Sequence, residues 1–346
     1  MKAPDVVART CLTPESLGLI LMPTEQCNFR CTYCYEDFAM GRMAPGVVAG
    51  VKALITARAP ALRELHLSWF GGEPLLALDV VEDVQRHARS LAESFPAMRI
   101  ASHMTTNGWR LTPAVFGRLL ALGLDDYQIS FDGPPEHHDR KRVRRDGRPT
   151  FERIWGNVIA MRNRSESFRI LLRLHVDREN LEAMFPFVDR CVETFGEDPR
   201  FALFLKPLSR YGGPNDESLA LLETEEDVRR FAELEARVAG RARTPAADPP
   251  SELALPVPGE MSGGGKAPGH GEVCYAARAN SFVVRSDGRL CKCTIVLDHP
   301  KNQVGRLRED GTVDISSAAM KPWMRGIWSG RAAELLCPMM GLAQPA

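Results

Sequence analysis

The sequence predicts an α/β fold built on a parallel sheet, and three observations carry that expectation. Strand-like apolar runs alternate with amphipathic helical patterns through residues 17–208. Several of these runs are apolar almost throughout, as strands are when helices cover both faces of a sheet. A polar, cysteine-bearing loop follows the first run, at the strand end where parallel α/β folds build their sites. Six strands alternating with helices fit an open six-stranded barrel or a doubly wound sheet, and periodicity does not separate the two.

In chain order, the strands are expected at 17–23, 65–70, 100–106, 127–131, 169–176 and 201–207. Helices are expected between them at 45–58, 78–94, 113–122, 151–162 and 180–195. The pattern then changes. Residues 211–217 read as a polar turn with two glycines, 223–240 as a charged helix, and 242–271 as a Pro- and Gly-rich linker. Beyond it, 281–285 and 289–294 flank Ser286-Asp287-Gly288, which is a β-hairpin signal.

A chain of 346 residues can bury a large core, as one big domain with an appendage or as two medium domains. Hydrophobic residues make up 44% and charged residues 25%, ordinary for a globular protein. The formal net charge of zero demands neither nucleic acid nor an anionic membrane as partner. No apolar run reaches the roughly 18 residues of a membrane span, and the amino terminus lacks a secretory signal. A cytosolic location is therefore expected. Thiols stay reduced there, so the nine cysteines point to metal ligation or catalysis rather than disulfides. Cys191 lies in an apolar helical pattern and reads as core, while Cys11 has no reading from sequence.

Cys27, Cys31 and Cys34 share one short polar loop. Three thiolates so placed can hold three corners of an iron–sulfur cubane and leave one iron open for a reactant. The loop also admits a zinc site or three reduced core cysteines. Zinc would need a fourth ligand from far away, because no His or Cys follows at short spacing.

The C-x3-C-x2-C spacing, with Tyr33 before the last cysteine, resembles the signature of the radical S-adenosylmethionine (SAM) superfamily. Gly71-Gly72-Glu73-Pro74 after the second strand is similar to that family's GGEP motif, and Thr105-Thr106-Asn107-Gly108 after the third to its TNG turn. Ser130-Phe131-Asp132-Gly133 after the fourth strand resembles its S-x-D-G motif, and Arg173 in the fifth matches a carboxylate-binding position. Each motif alone is most simply a turn or a surface charge; together they fall at the ends of successive strands. The resemblance implies a partial (β/α)6 TIM-like barrel over 17–208, after an extension at 1–16. It also implies a 4Fe–4S cluster on Cys27, Cys31 and Cys34. SAM would be held by Tyr33, Gly71, Gly72, Glu73, Pro74, Asn107, Ser130, Asp132 and Arg173. No catalytic acid or base is assigned.

The spacing Cys274-x13-Gly288-x4-Cys293 resembles the opening of the SPASM domain of peptide-modifying members, which carries auxiliary iron–sulfur clusters. Cys291 and Cys293 are two apart on a predicted strand and are expected to share a face, and Cys337 would complete a four-thiolate set. Only four cysteines are available, so a shortened, Twitch-like domain with one auxiliary cluster is expected at 272–346, after a helix and linker at 209–271. Structural zinc, or no metal, remain the alternatives.

The resemblance implies reductive cleavage of SAM to a 5′-deoxyadenosyl radical that abstracts hydrogen. The expected substrate is a residue of a ribosomally made precursor peptide, undergoing cross-linking, thioether formation or epimerisation. The alternatives are a sulfatase-maturase-like enzyme, a radical SAM enzyme acting on a small molecule, and a zinc-binding interaction protein. An electron donor such as flavodoxin or ferredoxin is an expected partner. Only about 16 residues precede the first strand, too few for a leader-recognition domain. A leader is thus expected to bind the barrel, the linker or a separate protein. The basic run 137–145 reads as a solvated face, a dock for an acidic peptide or a nucleic-acid contact; if it is a peptide dock, replacing Arg144 and Arg145 by Ser should weaken peptide binding in a salt-dependent way.

Overall fold

The computed structural model describes residues 11–239 and 273–341. The 242–271 stretch, read as a linker, lies outside them. The elements run β1 (Ser16–Leu21), β2 (Phe29–Cys31), α1 (Pro45–Arg58), β3 (Glu64–Trp69), α2 (Leu78–Ser94), β4 (Arg99–Thr106), α3 (Pro113–Ala121) and β5 (Asp126–Phe131). They continue with α4 (Pro135–Lys141), β6 (Arg142–Arg144), α5 (Phe151–Arg162), β7 (Arg169–Val176), α6 (Leu181–Phe195), β8 (Phe201–Pro207) and α7 (Glu225–Ala239). The C-terminal part holds β9 (Ser281–Val284), β10 (Arg289–Cys291), β11 (Gln303–Leu307) and β12 (Val313–Ile315), followed by short helical turns. Among the described residues no helix is long and apolar enough to cross a membrane.

The chain divides into two compact units. The first comprises Met1–Gln26, Phe38–Ser102 and Leu253–Ala346; the second comprises Cys27–Asp37 and His103–Glu252.

In the first unit, β1 lies between β3 and β9 and runs parallel to both, with Leu17 opposite Leu65 and Leu19 opposite Phe282. Its side chains Leu17, Leu19, Ile20 and Leu21 are buried, as a strand paired on both edges and covered on both faces requires. The expected hairpin forms as β9–β10, and β11 and β12 extend it antiparallel. Helices α1 and α2 cover this sheet with apolar stripes that include Val51, Leu54 and Ile55 on α1 and Val80, Val84 and Ala88 on α2. Gly50 of α1 has to be glycine. A Cβ there would stand 2.2 Å from the Arg308 carbonyl oxygen of the turn after β11.

The second unit carries the parallel strands β5, β7 and β8, with the His103–Thr106 part of β4 paired to β5. Thr112 caps α3, its hydroxyl accepting from Val115 N, and Pro113 fills the first helical position. An aromatic core packs beneath the helices: the Phe151 and Trp155 rings stack with centroids 5.6 Å apart, and Phe131 and Phe187 meet them edge-on or tilted. A separate two-stranded ribbon, β2 with β6, stands apart from the parallel strands.

The α/β class and its parallel strands are as expected, and the predicted bounds of β7 and β8 coincide with the observed ones. Sequence did not reveal β2, α4, β6, β11 or β12. The run read only as basic residues folds as the end of α4 and the strand β6.

Candidate functional site

Each unit contributes its own group of expected site residues. In the first unit, β3 ends at Trp69 and Gly71-Gly72-Glu73-Pro74 follow. Gly71 has φ +105, and a Cβ on it would meet the Thr24 carbonyl oxygen at 2.5 Å. A Cβ on Gly72 would meet the Gln26 carbonyl oxygen at 2.5 Å. The pair of glycines therefore lets this turn lie directly on the backbone that leads into Cys27. Glu73 N donates to Gln26 O (3.0 Å) and fixes that approach. The Glu73 side chain is fully buried, and one carboxylate oxygen accepts from Leu75 N (3.0 Å), capping the turn Pro74–Ala77.

Sequence reasoning missed the next layer in this unit. Glu25, two residues before Cys27, is buried and accepts from Arg285 Nε (3.2 Å), Arg285 Nη2 (2.5 Å), Ser286 N (3.1 Å) and Ser286 Oγ (3.1 Å). Arg285 also reaches Asp298 (2.9 Å) and the Leu297 carbonyl. The β9–β10 turn thus clasps the segment that presents the cysteine loop. The nearest signal in sequence is the polarity of Arg285 at the end of an otherwise apolar strand.

In the second unit, the cysteine loop is built on β2, with Cys31 opposite Arg142 of β6 and Phe29 opposite Arg144. Phe29 N donates to Cys27 Sγ (3.3 Å), and Cys34 N to Cys31 O (3.1 Å). Asn107 braces the loop from the end of β4: its Nδ2 donates to Asn28 Oδ1 (2.9 Å) and stands 3.9 Å from Cys27 Sγ. From the far side the turn 211–216 closes on it. Asn215 Nδ2 donates to Thr32 O (2.9 Å), and a Cβ on Gly213 would stand 2.7 Å from Cys34 O. That turn had read only as a polar connection.

Tyr33 is the hub. Its hydroxyl donates to Asp132 (2.8 Å) and accepts from Arg142 Nη1 (2.7 Å), while His175 Nδ1 lies 3.1 Å from Asp132 Oδ1. Burial alone would raise the Asp132 carboxyl, but the His175 hydrogen bond and the Arg142 charge outweigh it and hold it at about 2. Burial pushes the His175 imidazole down to about 4, with the Arg173 charge adding to the effect. At neutral pH an uncharged imidazole donates Nδ1–H to an ionised carboxylate. Ser130 and Arg173 sit opposite one another on β5 and β7 and are both largely buried. Arg173 and His175 are two apart on β7, on one face of the strand, so alternation was the signal that could have added His175 to the site.

The carboxyl-terminal cysteines divide. The Cys274 thiol is pushed up to about 12 by burial, and the nearby Cys293 and Cys337 act in the same direction. Cys291 has other neighbours: beyond burial, which lifts it to about 12, it feels Arg285, Arg289, Asp287 and Glu25. β10 ends at Cys291, so Cys293 lies past the strand on whose alternation a shared face was expected. Asn302 fixes this segment, accepting from Lys292 N (3.0 Å) and Cys293 N (2.9 Å).

Burial raises Cys31, and burial with the charge of Cys31 lifts Cys34 to about 12. Without metal Cys31 and Cys34 are therefore thiols, and loading a metal on them must release protons. Among the described residues no three His, Cys, Asp or Glu side chains converge as ligands of a single ion would. A cubane takes each thiolate on a different iron, so three half-exposed cysteines on one braced loop are a donor set that fits it.

Residues 21–188 match the model of the radical SAM superfamily. A PqqA peptide cyclase of Ruegeria pomeroyi is 28% identical over 232 residues, 66% of this chain and 58% of the relative. A PqqA peptide cyclase of Methylobacterium nodulans is 30% identical over 121 residues, 34% of this chain and 29% of the relative. The chain thus spans less than two thirds of the length of these relatives. Among solved structures, native anSMEcpe with bound AdoMet superposes with a TM-score of 0.63 at 19% identity, covering 93% of this chain and 88% of that one. Streptococcus suis SuiB bound to precursor peptide SuiA gives 0.59 at 16% identity, covering 91% and 67%. These two likenesses establish the fold.

Proposed function

We propose, from the match of residues 21–188 to the radical SAM superfamily, that this protein is a radical SAM enzyme whose substrate is a residue of a ribosomally made precursor peptide. The observation that carries the reading is the braced loop of Cys27, Cys31 and Cys34, locked to the strand ends by Tyr33, Asp132, Arg142 and His175. When bound, a 4Fe–4S cluster with SAM on its open iron supplies a 5′-deoxyadenosyl radical.

The chain's own residues hold and shield that chemistry. Cys27, Cys31 and Cys34 would ligate the cluster, and Asn107 keeps their loop in place through Asn28. Tyr33 and Asp132 fix the loop's outer turn, and buried Arg142 places a permanent positive charge beside Cys31, where it favours the thiolate. Ser130, Arg173 and the Gly71–Pro74 turn are the groups we assign to SAM. Protein names among the relatives, PqqA peptide cyclase and SuiB with its precursor peptide SuiA, favour a peptide substrate. The modification is cross-linking, thioether formation or epimerisation. Cys274, Cys293 and Cys337 are assigned to one auxiliary iron–sulfur cluster, with Cys291 as the remaining candidate ligand.

The test is anaerobic reconstitution with iron and sulfide, followed by SAM and dithionite. We expect 5′-deoxyadenosine from the parent protein and a drop of at least about 100-fold for Cys31→Ala, since a missing ligand abolishes the cluster that delivers the electron. Cleavage at the parent rate by the variant, or zinc without broad visible absorption in the parent, would overturn the reading.

A further inference from the structure

We propose that the exposed basic face of the β2–β6 ribbon is the docking surface for an acidic one-electron donor protein; this deepens the reading of Cys27, Cys31 and Cys34 as cluster ligands and rests on it. The chain as a whole is neutral, yet residues 140–153 carry seven cationic side chains against two carboxylates. The fold sorts them. Lys141 and Arg142 turn inward and are buried, one on Asp177 and the other on Tyr33. Arg140, Arg145, Arg148 and Arg153 remain exposed, against the exposed carboxylates of Asp146, which pairs with Arg144, and Glu152.

This exposed group is anchored to the cysteine loop itself. Arg145 N donates to Asn28 O (2.9 Å), so Arg145 projects from the residue paired with the backbone beside Cys27. Its guanidinium makes no ion pair among the described residues, and Arg148 has only Asp146, at 3.7 Å. Next to them Arg144 and Arg153 lie over the Trp109 ring, at 4.4 and 4.6 Å from its centroid. Trp109 in turn meets Phe29 of β2 edge-on at 6.3 Å. The result is a stiffened cationic platform whose floor is the cysteine strand. Like charges held this close repel one another, and an acidic partner relieves that repulsion and is steered toward it.

Position favours a reductant over the peptide substrate. The proposed chemistry consumes one electron for each reductive SAM cleavage, and a partner seated on β6 stands one strand away from Cys31. One electron leaves the donor's reduced flavin and enters the cluster; no bond forms between the proteins. A peptide would instead have to reach the place where SAM is held, and contact with the outer face of the thiolate strand does not bring it there.

The test uses the reconstituted holoprotein and reduced flavodoxin, an acidic flavin protein. We expect Arg145→Glu/Arg148→Glu to slow bleaching of the cluster's visible absorption by flavodoxin about tenfold or more at low salt, and to flatten its salt dependence. Bleaching by dithionite, which needs no docking, should proceed at the parent rate and shows that the variant is folded and loaded. Unchanged reduction by flavodoxin would overturn the proposal. So would lost affinity for an acidic precursor peptide with flavodoxin reduction intact, which would give the platform to the substrate. A parent protein that dithionite cannot bleach would instead bring down the cluster reading itself, and the docking with it.

Discussion

Burial holds the imidazoles of His66, His138 and His175 at about 4, well below the ordinary histidine value. Between about 6.5 and about 4 the unfolded chain takes up protons that the folded chain refuses, so stability is complete above that window and falls as pH drops through it. Asp132, held at about 2, adds a second loss that begins only near pH 4. His138 is the cleanest probe: it is fully buried among Phe131 and Phe151, and its Nε2 has no hydrogen-bond partner among the described residues. For the reduced, metal-free protein we expect the urea midpoint to fall between pH 7 and pH 5, and His138→Asn to remove about a third of that fall. Parallel losses in parent and variant would show that His138 is not among the groups responsible. None of this was legible in sequence at the level of partners. Tyr33 and Asp132 were marked by their motifs, but that they bond each other across 99 residues, with Arg142 and His175 completing the set, depends on where β5, β6 and β7 place their ends.

Among the elements, the β9–β10 hairpin shows how far local pattern reaches. Its turn, Ser286-Asp287-Gly288, was plain from sequence, with Gly288 at φ +87 as such a turn requires. That β9 lies parallel to β1, and that the turn then reaches Glu25, was not, because pairing of strands some 260 residues apart leaves no mark in either strand's periodicity. The contact makes a specific demand. Glu25 and Arg285 are both about 2% exposed, and a buried carboxylate whose cation is removed is left uncompensated. Arg285→Met should therefore cost about 3–5 kcal/mol in chemical denaturation, whereas Glu25→Gln combined with Arg285→Met should regain much of it, because the double variant leaves no buried bare charge and Asp298, the other partner of Arg285, is exposed to solvent. Equal losses in the single and double variants would mean that the packing of the Arg285 stem, rather than its charge, holds the turn.

At the scale of the whole molecule, the alternation of strands and helices and the strand-end motifs were enough to reach the α/β class and the resemblance with which the match of residues 21–188 to the radical SAM superfamily agrees. The partition of the cysteines was not. Cys27, Cys31 and Cys34 belong to the unit of β2, the His103–Thr106 part of β4 and β5–β8, and Cys274, Cys291, Cys293 and Cys337 to the unit of β1, β3 and β9–β12, although the first three follow β1 in the chain. Each set is braced within its own unit: the first by Asn107, Tyr33 and Asn215, the second by Asn302 and by the Cys274 N to Leu335 O hydrogen bond. Sets held by separate frameworks should load separately. If both carry cubanes, the reconstituted parent should contain about eight iron atoms per chain, and replacing Cys274, Cys293 and Cys337 by Ser should leave about four. On the proposed reading that variant should still cleave SAM with dithionite, because Cys27, Cys31 and Cys34 are untouched, while losing turnover on a peptide if the second centre takes part in it. The complementary variant, with Cys27, Cys31 and Cys34 replaced by Ala, should also retain about four irons but cleave no SAM. About four irons in the parent, all lost from the second variant and none from the first, would restrict iron to the amino-terminal loop and leave the carboxyl-terminal thiols to zinc or to the bare fold.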